Sequence, residues 1–120
     1  DAEWQKFIGA FIQFLLNRYG VEEVETWNFE VWNEPNMSTF FSGTQADYFH
    51  LYEITAKAIK AVDSKLQVGG PATATGAWIK DFIDFVETNH IPCDFISTHN
   101  YPGDGIGEVF LGKIMFNATA

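Results

Sequence analysis

The sequence predicts an α/β fold with parallel strands, and three observations carry that reading. Apolar stripes of helical period alternate with short runs rich in Trp, Phe, Val and Ile, in the order α-β-α-β-α-β. The segments between them are short, as expected where helices pack outside a parallel sheet. Each strand-like run is followed by a Pro or Gly turn at its carboxyl end, where such folds place their ligand sites.

Residues 4–18 carry Trp4, Phe7, Ile8, Phe11, Ile12, Leu15 and Leu16, a wide helical stripe read as core, and Gly20 is suited to the left-handed cap that ends it. Glu25 to Asn33 reads as the first strand, stopped by Pro35. Thr44-Gln45-Ala46-Asp47 matches a capping box with Asp in place of the usual Glu or Gln. The helix it opens has Tyr48, Leu51, Thr55, Ala58, Ile59 and Val62 on one face. Leu66 to Gly69 reads as a second strand, closed by Gly69-Gly70-Pro71. Trp78, Ile79, Phe82, Phe85 and Val86 mark a third helix that ends near His90-Ile91-Pro92. Asp94 to His99 is the third strand, and residues 106–120 show no clear period and stay unassigned.

The 120 residues suit one domain, and 47% hydrophobic content with twelve Phe and four Trp is ample for a core. A net charge of −9 disfavours nucleic acid and anionic lipid as partners and does not oppose a neutral ligand such as a sugar. Cys93 is the sole cysteine, so there is no internal disulfide or thiolate metal cage, and a small buried residue is the ordinary reading. No metal or cofactor is expected. No signal peptide or membrane-length apolar run occurs, and cytoplasmic and secreted settings are both compatible.

The run Phe29-Glu30-Val31-Trp32-Asn33-Glu34-Pro35-Asn36 is where chemistry concentrates. Strand alternation would place Glu30, Trp32 and Glu34 on one face and Phe29, Val31 and Asn33 on the other. Glu34 falls last, at the ligand-binding end. A carboxyl near aromatic surface loses solvation of its charged form, which suits a proton donor. The plain alternative is a polar turn, since Asn and Pro are ordinary turn residues. His99 read alone is a common half-buried strand residue, and Tyr101 read alone is rim packing. Gly69-Gly70-Pro71 either keeps a strand end low beneath a ligand or is a tight turn. His50 and His90 are expected at the surface. The sequons Asn36-Met37-Ser38 and Asn117-Ala118-Thr119 are read as accidental, because a glycan on Asn36 would block the proposed site.

Three segments in order tip the balance: FEVWNEPN at 29–36, Leu66-Gln67-Val68-Gly69-Gly70-Pro71-Ala72, and Asp94-Phe95-Ile96-Ser97-Thr98-His99-Asn100-Tyr101-Pro102. Together they resemble glycoside hydrolase family 39, the β-xylosidases and α-L-iduronidases, over roughly residues 1–105. The resemblance implies a partial (β/α)8 TIM barrel, about strands four to six of eight, in a retaining glycosidase that acts from the chain end on β-linked xylosyl units. Glu34 is similar to the family's general acid/base, Asn33 to the amide that binds the sugar 2-hydroxyl, and His99 and Tyr101 to residues lining the sugar subsite. The implied partner is a xyloside or xylo-oligosaccharide, as in xylan degradation.

The family's nucleophile, a Glu at the end of barrel strand seven, has no counterpart in this sequence. Glu108 follows the third strand too soon, and the tail after residue 105 departs from the family pattern. Residues 1–120 are therefore expected to be a single piece of a catalytic barrel, inactive alone. The alternative is a non-catalytic fragment or sugar-binding module of the same fold. Open strand edges and an uncovered apolar face lead one to expect that the isolated chain self-associates or pairs with a partner.

Overall fold

The computed structural model describes residues 1–104, and the 106–120 tail, Glu108 included, lies outside the described residues. Helix α1 spans Ala2–Tyr19 and stops at Gly20 as expected, but the cap is not left-handed helical: φ 92° with ψ 147° is an extended conformation open to glycine without a steric penalty. A one-turn helix, α2, follows at Val21–Val24. Then come strand β1 (Asn28–Glu30), helix α3 (Gln45–Val62), strand β2 (Gln67–Ala74), helix α4 (Ile79–Thr88) and strand β3 (Phe95–His99). The capping box opens α3 as expected: the Asp47 N–H donates to the Thr44 hydroxyl, and the Asp47 carboxylate accepts from the Thr44 N–H.

The three strands form one parallel sheet in the order β1-β2-β3. Two boundaries differ from the sequence reading. The first strand is shorter than Glu25–Asn33, because the N–H groups of Glu25, Thr26 and Trp27 are taken by carbonyls of the preceding helical turn. At its far end Trp32 adopts a φ of 70°, which breaks the extended path of β1, and the chain leaves the sheet after Val31 donates to the Gly69 carbonyl. The expected common face for Glu30, Trp32 and Glu34 therefore does not exist. Glu30 is exposed where the strand ends, and it needs no buried partner.

The second strand is longer than Leu66–Gly69, since it runs through Gly69-Gly70-Pro71 to Ala74. Here the glycines serve close packing inside a strand. A Cβ on Gly70 would lie 2.8 Å from the Tyr48 hydroxyl, and one on Gly69 would overlap the Phe95 carbonyl and ring. Pairing of β2 with β3 shifts between Pro71 and Thr73, a local irregularity just before the strand ends that flank the site.

One face of the sheet meets the helices. Val68 is fully buried there, and its register partner Phe29 packs against the same core. On the other face Asn28, Glu30 and Gln67 are exposed. The core joins Ile8, Ile12, Leu15 and Leu16 of α1 to Tyr48, Tyr52 and Ile59 of α3 and Phe82 and Val86 of α4. Both buried phenols are satisfied, Tyr48 donating to the Val31 carbonyl at 2.9 Å and Tyr52 to the Pro92 carbonyl at 2.8 Å. Burial pushes both hydroxyls far above the ordinary tyrosine range, so they stay neutral donors. The α1 stripe is only half core. Phe7 and Phe11 stack on each other at 6.4 Å yet remain 59% and 45% exposed, because the stripe is wider than the contact α1 makes. His50 and His90 are exposed, as expected. Burial raises the Cys93 thiol, which keeps it protonated and unreactive.

Candidate active site

The site is assembled where the chain leaves β1 and passes over the carboxyl ends of β2 and β3. Two residues of this passage, Trp32 and Glu34, have positive φ values of 70° and 45°, so the loop needs external anchors. It has several. The Trp32 indole N–H donates to the Phe40 carbonyl at 3.0 Å, and the Glu34 N–H donates to the Ala72 carbonyl at 2.8 Å. The Asn36 side chain makes both bonds a strand residue would make: its Oδ1 accepts from the Ala74 N–H at 2.8 Å, and its Nδ2 donates to the Ala74 carbonyl at 3.2 Å. Pro35 between them is fully buried.

These anchors deliver the Glu34 carboxyl to His99, the last residue of β3. Glu34 Oε1 lies 3.0 Å from His99 Nδ1, and the two side chains are 17% and 28% exposed respectively. An ionised carboxylate only accepts hydrogen bonds, so in that state Nδ1 is the protonated ring nitrogen. His99 is fixed from its other side, since its carbonyl accepts from the Thr75 N–H at 2.7 Å. Glu34 Oε2 has no hydrogen-bond partner among the described residues.

Of the residues singled out from the sequence, Glu34 and His99 thus meet directly. Asn33 is exposed, with no side-chain hydrogen bond among the described residues, and its amide is available to a ligand. Tyr101 is 66% exposed, in a turn closed by Asp104, whose carboxylate accepts from the Tyr101 N–H at 2.7 Å. Among the described residues, neither side chain hydrogen-bonds to the Glu34–His99 pair. The sequence reading gave Asn36 no part in the site, since it appears there only in a sequon read as accidental. The only signal available was an amide two residues beyond the acid, and a side chain imitating a strand has no sequence signature. Among the described residues no group of three or more His, Cys, Asp or Glu is placed to hold a metal ion.

A partly buried carboxyl held at a strand end, with one oxygen bound and the other without a partner, is arranged to give and take a proton. Residues 1–118 match the profile described as "Glycosyl hydrolases family 39". The chain belongs to glycosyl hydrolases family 39. It is 55% identical over 103 residues to a β-xylosidase of Caldicellulosiruptor saccharolyticus, covering 85% of this chain and 21% of that protein. With a β-xylosidase of Geobacillus stearothermophilus it shares 49% identity, over 82% of this chain and 20% of that one. A crystal structure of a family 39 β-xylosidase from Caulobacter crescentus superposes with a TM-score of 0.81 at 52% identity, over 83% of this chain and 23% of the other. The chain thus spans about a fifth of the length of the curated relatives it matches. Its three parallel strands are an arc of the family 39 (β/α)8 barrel. The profile match continues past residue 105, into the segment where the sequence reading saw a departure from the family pattern.

Proposed function

We propose that these residues supply the acid/base half of a retaining, exo-acting β-xylosidase site, in a single piece of the catalytic barrel. Glu34 is the general acid/base: Oε2 gives its proton to the glycosidic oxygen as the C–O bond breaks, and the carboxylate then accepts a proton from the incoming water. Asn33 bonds the sugar 2-hydroxyl, a contact that strengthens as positive charge develops on the ring, while His99 and Tyr101 line the subsite. The nucleophile is a Glu outside this chain, about 5–5.5 Å from the acid as retention requires. The substrate is a xyloside or xylo-oligosaccharide, and the isolated chain is inactive because one carboxylate cannot perform both steps.

The observation that carries this reading is the Glu34 carboxyl at the end of a barrel strand, held through one oxygen by His99. The names of the relatives support the choice of xyloside. Glu34→Gln in a full-length enzyme containing this segment tests it. Hydrolysis of xylosides with poor leaving groups should fall by about 10²–10⁴-fold, the usual worth of a positioned acid, and activated aryl xylosides should lose much less in bond cleavage. Equal losses on both would remove Glu34 from the acid role.

A further inference from the structure

Resting on that acid/base reading, the geometry points to Asn36 as a positioning residue that sets Glu34 against His99. We propose that its amide, bound to both backbone polar groups of Ala74, continues the β1–β2 ladder after the backbone of β1 has left the sheet, and so fixes which carboxyl oxygen carries the proton.

The connections form a closed circuit. Ala74 is the last residue of β2 and lies in register with His99 on β3. The next residue, Thr75, donates its N–H to the His99 carbonyl at 2.7 Å. On the opposite side of the same segment, the Glu34 N–H bonds the Ala72 carbonyl at 2.8 Å, and Asn36 holds Ala74 at 2.8 and 3.2 Å. Residues 72–75 are therefore a common anchor, with the acid on one flank and the imidazole on the other. The 3.0 Å Glu34–His99 contact closes the circuit above it.

Glu34 has a φ of 45°, a conformation that a residue with a side chain leaves unless its surroundings impose it. The Ala72 bond holds its own N–H, and Asn36 is what holds the chain beyond it. Asn36 and Ala74 are only partly exposed, so water competes poorly for these bonds. With Oε1 tied to Nδ1, the transferable proton resides on Oε2, which is without a partner among the described residues. If the loop rotates, the carboxyl can swap oxygens or leave His99, and an acid misplaced by an ångström loses on the order of a hundredfold in rate.

The test compares Asn36→Ala, Asn36→Asp and Glu34→Gln in a full-length enzyme containing this segment, each assayed on xylosides with poor and with activated leaving groups. Asn36→Ala should lower kcat/KM, which reads bond cleavage, about 10–100-fold on poor leaving groups and leave that of activated substrates nearly unchanged. Asn36→Asp keeps the acceptor for the Ala74 N–H and loses the donor, so it should fall between wild type and Asn36→Ala. A merely structural role would lower both substrates equally, in proportion to folded protein. Equal losses, or wild-type rates, in folded Asn36→Ala overturn the proposal, and if that variant does not fold the same criteria apply to Asn36→Asp. If Glu34→Gln shows the leaving-group dependence and the Asn36 variants do not, only this inference fails. If Glu34→Gln lacks it, the acid reading fails and takes this inference with it.

Discussion

The two long helices, α1 and α3, each have 18 residues and an apolar stripe, yet they end in different surroundings. Helix α3 buries seven residues, among them two tyrosines whose hydroxyls reach backbone carbonyls near β1 and β3. Helix α1 buries four and leaves Phe7, Phe11 and Phe14 more exposed than covered or nearly so. The difference lies in the neighbours. Helix α3 lies between α1, β2 and the aromatic side chains of α4, whereas α1 leans on α3 and the short α2. Periodicity tells which residues of a helix suit a core, and the width of the contact decides how many of them enter it.

That comparison breaks most sharply at its inner seam. Ile12 in α1 and Ile59 in α3 are 1% and 3% exposed, and replacing either by Ala should cost about 2–5 kcal/mol in denaturant unfolding of a full-length enzyme. A much smaller loss at Ile12 than at Ile59 would mean that α1 is loosely held even where it is buried. Phe11→Ser probes the open flank. Its effect on stability should stay within about 0.5 kcal/mol, as for surface positions, while light scattering should show less self-association of the isolated chain. Unchanged particle size would clear this face of stickiness.

The smallest effect concerns the start of α3, which has a side-chain cap that α1 lacks. Backbone and side-chain hydrogen bonds from Thr44 lower the Asp47 carboxyl below its ordinary value of 3.8. A carboxyl lowered by folding stabilises the native state fully above the unfolded value, and that contribution is lost as pH falls through the lowered folded value. Asp47→Asn should therefore flatten part of the acid limb of a stability–pH curve below about pH 4 and leave the fold intact. An unaltered acid limb would mean that the box contributes nothing through its charge.

The fold was legible wherever local chemistry and tertiary context agree. The Thr44–Asp47 box, Gly20 and the stripe of α4 each state a boundary or a face, and each is where the sequence placed it. The strand limits were harder to read, because Glu25-Thr26-Trp27 are strand-like by composition and are claimed by the carbonyls of α2. Gly69-Gly70-Pro71 reads as a turn unless one knows that Phe95 and Tyr48 lie against it. At the site, Glu34 and His99 were individually visible as a strand-end acid and a strand-end imidazole. Their 3.0 Å contact depends on a register between strands that no local pattern encodes. Asn36 was least legible, since its role depends on an Ala whose side chain says nothing.

Gly69 shows how far from the carboxyl the geometry of the site begins. Phe95 and His99 are the two ends of β3, and the first lies across a position of β2 that has only hydrogen to offer. The absent methyl acts as a spacer of zero thickness: it lets the strands meet at their amino ends, and the same rigid strand brings the imidazole within reach of the acid at the other. A change there would be invisible to any inventory of residues near the sugar, yet it would be felt at the proton.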